Sequence, residues 1–290
     1  MAPRTLHFAR KEIFWECEGN SIAIEHFGKL PESYMEKVPI KGLLSSLDGQ
    51  KHTEMTEACF QLWCRLIEIY SECQLKFASD KLVAMSGLAR LIEKETGDKY
   101  VAGLWSSRLV VSLLWQRREE SYKLKESRRT SKDSKDEAQY TAPSWSCASL
   151  DCAVEFDMEL LFAGFSLVAE VVRVDVQSSA SDPTGAVHSA SLVLSAPFAV
   201  TQYANNGIRV GETECYLSSL MLDHPSDLNL QEGSELHLIC LADDPHVTGL
   251  VLQPTEDANT YMRCGRFDLR FEEWSVQETF LSQVNEVKLV

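Results

Sequence analysis

The amino-acid sequence predicts an α+β protein: an N-terminal hairpin plus a small helical unit, then an antiparallel all-β sandwich or partly closed barrel with a C-terminal helix. Three observations predict it. Between residues 54 and 114 the apolar side chains recur at three- and four-residue spacing, the period of a helix buried along one face. After Ala142 they fall in short β-like runs separated by turn residues. Between the two lies a charged stretch, 117–139, with a single strong hydrophobe, Leu124. The expected domains are a hairpin and three-helix unit over 1–116, a flexible linker over 117–139, and an acidic all-β unit over 140–290.

Taken in order, "TLHFARKEIFWECEG" alternates around a basic break, which predicts a hairpin ending near Gly19. A loop rich in Pro and Gly follows over 28–42. Ala58, Leu62, Leu66, Ile69, Tyr70 and Cys73 then define an amphipathic helix over 54–74. Ser79 is placed to cap a second helix with Leu82, Val83, Met85, Leu88, Leu91 and Ile92 on its apolar face, and Gly97 to stop it. A third helix is expected from about Trp105 to Glu119, burying Leu109, Val110, Leu113 and Leu114. The linker holds 8 basic and 6 acidic residues, too little apolar area to offset its ordering entropy.

Seven β runs follow: 152–157, 166–177, 186–196, 213–222, 235–242, 248–254 and 261–271. The turn signals "SDPTG", "NNG", "DHPSD", "QEG" and "DDPH" separate them. Strands without intervening helices argue for a sandwich or barrel. The closing "EEWSVQETFLSQV" reads as a helix packing Trp274, Phe280 and Leu281.

Composition bounds the function. A chain of 290 residues, 44% hydrophobic with six tryptophans, is long enough for one large core or two smaller ones. Residues 151–290 carry 6 basic and 22 acidic side chains, which disfavours a nucleic-acid partner there. The longest apolar run, Leu160–Ala169, is about half the roughly 20 residues of a membrane span, so no membrane role is expected. The charged start "MAPRTLHFARK" does not resemble a signal peptide. Nine cysteines without regular spacing read as reduced thiols, and the expected address is cytoplasmic.

Signatures of phosphate loops, dinucleotide loops, zinc helices, paired-cysteine motifs and nucleophile elbows are missing, so no cofactor or metal is expected. Asp223, His224, Asp227, His237, Asp243, Asp244 and His246 form the nearest metal-like collection, and turn chemistry accounts for these residue types equally well. His237 shares a strand face with Ile239 and Leu241, which reads as a hydrogen-bonded core histidine. Cys59, Cys64 and Cys73 fall on different sides of one helix and read as small core residues.

The stretch "YTAPSWSCASLD" poses the sharpest choice. A nucleophilic Cys147 needs a base and a site that lowers its pKa, and no histidine lies between His52 and His188. The structural reading has Pro143 set an extended backbone, small residues allow close approach, and Trp145 anchor the first β segment. Pro143, Trp145 and Cys147 are therefore expected to form a structural seam.

The segments "APRTLHF…EIFWEC", "W…IEIYSECQLKFASDKLVAMSGLA…YVAGLW…LLW" and "YTAPSWSCAS", in that order, resemble the region that follows the HET domain in the fungal heterokaryon-incompatibility (HET) family. The segment "GLVLQP…YMRCGRF" resembles the C-terminal end of that region. The likeness runs through nearly the whole chain. It is most specific over Asp80–Ala89 and Tyr100–Trp105, with Asp80, Leu82, Gly87, Tyr100, Gly103 and Trp105 as its motif residues. Family members often have a second tryptophan where this chain has Cys147. The HET domain, expected before "APRTLHF", is absent from the sequence, which reads as a companion region or truncated member.

The resemblance implies self/non-self recognition and the triggering of cell death in filamentous fungi. The missing domain, related to the TIR-like fold, is the one credited with signalling, so none of its functional residues transfers. Residues and resemblance together point to a non-enzymatic regulatory or interaction region with a protein partner. Two alternatives stay open. One is a β-sandwich ligand-binding module, which an exposed groove lined by aromatics and convergent polar groups would favour. The other is an enzyme using Cys147 or the His/Asp cluster.

Overall fold

The computed structural model describes residues 57–290 except 74, 76, 119–139, 158–165, 179–181, 206, 211–212, 225–226 and 244–245, and describes 4–8, 13–17 and 20–23 by backbone alone. The loop expected over 28–42 and residues 119–139 of the expected linker lie outside the described residues. Strand predominates, with four α-helices among the described residues, an α+β composition. The chain divides into two compact units, Met1–Leu66 with Glu95–Gly97, and Ile67–Lys94 with Asp98–Val290.

In the smaller unit, β1 (Arg4–Phe8), β2 (Ile13–Cys17) and β3 (Asn20–Ala23) form an antiparallel meander, one strand more than the expected hairpin. Helix α1 spans Glu57–Ser71 and buries Cys59, Phe60, Leu62, Trp63, Cys64, Leu66 and Ile67. The face expected from Ala58 to Cys73 is displaced, since both of those residues are exposed. Counting from Ala58 passes over Phe60 and Trp63, whose larger apolar area decides which side is buried.

Helix α2, Asp80–Thr96, starts directly after Ser79, stops before Gly97, and buries Leu82, Met85, Ala89 and Ile92. Val83, assigned to that face from sequence, is instead 47% exposed. Next comes a two-strand hairpin, β4 (Tyr100–Val101) and β5 (Leu104–Trp105). Its central residues Ala102 and Gly103 both have positive φ, +46° and +103°, as a tight right-twisting hairpin turn requires.

The long third helix does not form. A 3-10 turn at Ser106–Arg108 leads into one helical turn, α3 (Leu109–Ser112), and the chain is extended again by β6 (Gln116–Arg117). The reason is a competing partner. The carbonyls of Leu113 and Trp115 accept from the Arg263 guanidinium at 2.6 and 2.5 Å. Arg117, expected in the linker, is buried in a ladder with β7 (Val154–Glu155).

The remaining strands are β8 (Ser166–Leu167), β9 (Glu170–Ser178), β10 (Val187–Ala204), β11 (Gly207–Val210), β12 (Thr213–Leu222), β13 (Glu235–Asp243), β14 (Val247–Pro254), β15 (Thr260–Arg270) and β16 (Val284–Leu289). All seven β runs read from sequence contain strand. Antiparallel ladders close a ring in the order β10–β11–β12–β15–β14–β13 and back to β10. Helix α4, Trp274–Leu281, buries Phe280 but leaves Trp274 72% exposed, against expectation. The helix does not end the fold. It leads to β16, which pairs antiparallel with β10 and parallel with β15, so the sheet is mixed.

Two apolar clusters share the central strands. Leu236, Leu238 and Cys240 of β13 and Val247 and Val251 of β14 join one cluster with Ile208, Leu217, Phe267, Leu269 and Phe280. The alternate residues Ile239, Leu241, Leu250 and Leu252 join the other. That second cluster draws on both sides of the 117–139 segment: Leu82, Val101, Leu104, Leu109 and Leu113 before it, Trp145, Leu192, Leu194 and Val287 after it. Residues from Leu82 to Leu114, expected in the helical unit, therefore share a core with the β-sheet.

Candidate functional site

Within the larger unit, a cleft opens where the end of α1, the start of α2, the β4–β5 hairpin and the residues from Cys147 to Val154 converge. Its cavity volume is about 40 Å³, within about 510 Å³ of free space that includes the open solvent at its mouth. Ile67, Leu82, Met85, Leu150 and Val154 give it apolar walls. Tyr70, Tyr100, Lys81, Cys147, Asp151 and Cys152 supply its polar atoms.

Each wall is held by specific bonds. The Ser71 hydroxyl accepts from the Val154 amide at 3.0 Å, and the Glu68 carboxylate accepts from the Phe156 amide at 3.0 Å. Tyr70 donates to the Lys81 carbonyl at 3.2 Å, joining α1 to α2. The Ser146 hydroxyl accepts from the Ala148 amide at 3.2 Å and donates to the Ala102 carbonyl at 2.6 Å, which ties the 3-10 turn Cys147–Ser149 to the hairpin. A Cβ at Gly103 would lie 3.2 Å from that Ser146 hydroxyl, so the close approach needs glycine. Tyr100 and Trp105 meet edge to face at 5.5 Å.

Lys81 is the cation of the cleft. Its side chain is 11% exposed, its ammonium donates to the Leu150 carbonyl, and Asp151 Oδ1 lies 3.4 Å away. Burial lowers its pKa, and Asp151 only partly opposes that. Burial likewise pushes the Cys147 thiol up to about 11 and Cys152 up to about 12. Tyr70 is pushed up to about 12 and Tyr100 is raised further, again by burial first. At neutral pH both thiols are protonated, which makes Cys147 a poor nucleophile.

The expected seam residues are all buried. Pro143, Trp145 and Cys147 sit in a segment whose backbone groups and hydroxyls reach four other places. Trp115 Nε1 donates to the Trp145 carbonyl at 3.0 Å, the Ser144 amide donates to the Val290 carbonyl at 3.0 Å, and the Ser144 hydroxyl accepts from the Arg263 amide at 3.0 Å. Ala102 is the fourth, through Ser146. Of the motif residues, Leu82, Tyr100 and Gly103 line the cleft. Trp105 is fully buried beside Tyr100, whereas Asp80 and Gly87 are exposed on α2.

The His/Asp collection is dispersed. Asp223 pairs with Arg263, Asp227 accepts from the His224 amide at 3.1 Å, and Asp243 accepts from Gln277 at 2.6 Å. His237 meets Glu235 at 2.9 Å and packs between Phe198 and Tyr261, while Asp244 lies outside the described residues. Among the described residues no group of three such side chains could hold a metal ion. Cys59 and Cys64 are buried as expected, but Cys73 is exposed.

Sequence reasoning missed Lys81 and the Arg263 network. Arg263 has no solvent exposure, binds Asp223 through Nε at 3.0 Å and a second nitrogen at 3.2 Å, and stacks 3.3 Å from the centre of the Trp115 ring. In the sequence it is one of three arginines in a single β run, beside Arg266 and Arg270, and nothing local sets it apart. Nor does anything mark Lys81, because a lysine in the first turn of a helix is ordinary.

Fold and cleft define an α+β protein with a ring of strands and a mixed apolar and polar recess beside it. Comparison of the chain with family models, with curated proteins and with solved structures finds no match.

Proposed function

We propose that this chain is a non-enzymatic regulatory or interaction region of a HET-like fungal protein, working in self/non-self recognition through contact with a protein partner. One observation carries the reading. The segments that bear the resemblance, Asp80–Ala89, Tyr100–Trp105 and Tyr140–Ser149, are distant in sequence, yet Lys81, Leu82, Met85, Tyr100, Gly103 and Cys147 line a single cleft. The raised thiol pKa of Cys147 supports recognition rather than covalent catalysis there. The eight described cysteines are free thiols, in keeping with a cytoplasmic address. For the fold we favour a partly closed barrel over a sandwich, because the ladders return to β10.

The test is expression in a filamentous fungus. The chain alone should not trigger incompatibility-type cell death, and a HET domain fused ahead of Met1 should restore a regulated response. Death caused by the isolated chain and abolished by Cys147→Ser would overturn the reading.

The cleft also favours the ligand-binding reading, since Tyr70, Tyr100 and the Lys81–Asp151 pair converge in apolar walls. A fragment screen by thermal shift should find ligands lost on Met85→Trp, which fills the cleft. Ligands that bind the variant unchanged would show that they sit elsewhere.

A further inference from the structure

Building on the ligand-binding reading of the cleft, we propose that its ligand is a small amphipathic carboxylate whose headgroup bonds to Lys81 and whose apolar body lies against Leu82, Met85, Leu150 and Val154. An ammonium has three N–H donors. Among the described residues Lys81 meets one backbone carbonyl, that of Leu150, and one carboxylate, that of Asp151. The Asp151 contact, at 3.4 Å, is longer than the 2.7–2.9 Å of a charge-assisted hydrogen bond. Lys81 therefore has donor capacity left over in a place where water is scarce.

The two partners of the ion pair differ in what they can do. The Lys81 side chain is 11% exposed, and α2 and Leu150 hold it in place; the Asp151 side chain is 56% exposed at the mouth. An incoming carboxylate replaces Asp151 at little cost, because Asp151 swings into water and keeps its hydration. A neutral or cationic headgroup has no such exchange to make. The thiols of Cys147 and Cys152 add no negative charge at neutral pH, because burial holds both protonated. Lys81 and Asp151 are then the formal charges among the cleft's described lining residues.

The experiment titrates the full chain with hexanoate, octanoate and benzoate, and with their neutral amides, by calorimetry and by amide chemical shifts. The carboxylates should bind about tenfold or more tighter than the amides, the worth of one charge-assisted bond. Lys81→Met should erase that preference. Asp151→Asn, an exposed change that keeps the fold, should strengthen carboxylate binding by removing the competitor. Equal binding of acids and amides, or weaker acid binding by Asp151→Asn, would sink the carboxylate assignment even if Lys81→Met fails to fold. Neutral fragments that bind the wild type and are lost on Met85→Trp would in that case leave the cleft reading standing. If no acid and no fragment shifts a cleft amide, both fall.

Discussion

Arg263 joins three parts of the larger unit: the strand end at Asp223, the carbonyls of Leu113 and Trp115, and the Trp115 ring. Removing one partner of such a buried pair leaves the other charge dehydrated. Arg263→Met should therefore destabilise by about 3–5 kcal/mol, and Arg263→Met with Asp223→Leu by less, because no charge is then stranded. Denaturant midpoints of the single and double variants check this order. Trp145 is fully buried, and Trp145→Ala should cost about 3–5 kcal/mol. Ser146→Ala should cost about 1–3 kcal/mol, since it strands the Ala102 carbonyl; an unchanged melting temperature in either would show that the site relaxes freely. Cys147 gives a pH signature. Its folded pKa of about 11 exceeds the unfolded value of 9.0, so its contribution is complete below about pH 9 and lost as pH rises toward 11. Melting temperature should fall less steeply over that window in Cys147→Ala than in the wild type.

The elements show where local pattern suffices. Strand runs such as 235–242 and 248–254 are short, apolar and bounded by turn residues, so β13 and β14 were legible, down to Ile239 and Leu241 sharing a face. The third helix was not, because its periodicity from Leu109 to Leu114 is genuine, and the partners that take over its backbone, Arg263 and β7, lie far along the chain. Strands β11 and β16 were also missed: β11 is a short strand in a local meander between β10 and β12, and β16 is a short strand whose ladder is set by β10, far earlier in the chain. The β4–β5 hairpin hides in "YVAGLW", whose turn needs positive φ at an alanine as well as a glycine. Gly103→Ala should cost about 1–3 kcal/mol, from its φ of +103° and the contact with Ser146. A melting curve equal to the wild type would mean that the hairpin can shift away from the seam.

For the whole molecule, the shared core predicts that residues 140–290 do not fold alone. Their cluster lacks Leu82, Val101, Leu104, Leu109 and Leu113 when the first half is removed, exposing apolar sheet surface. Expressed by itself, 140–290 should aggregate or give a poorly dispersed amide spectrum; a well-dispersed spectrum with a cooperative melt would restore the separate β unit. The sequence by itself determined the α+β class, the helices near 57–71 and 80–96, and the seven β runs, because those follow from periodicity and turn residues over short distances. The cleft was only half legible: the seam residues were singled out as structure, while Lys81 carried no mark. Only the tertiary structure decided the closure of the strand ring, the sharing of one core by Leu82–Leu114 and the β-sheet, and the meeting of Lys81, Asp151 and Cys147. Those depend on contacts between residues far apart in the chain, where burial and long-range hydrogen bonds outweigh local preference.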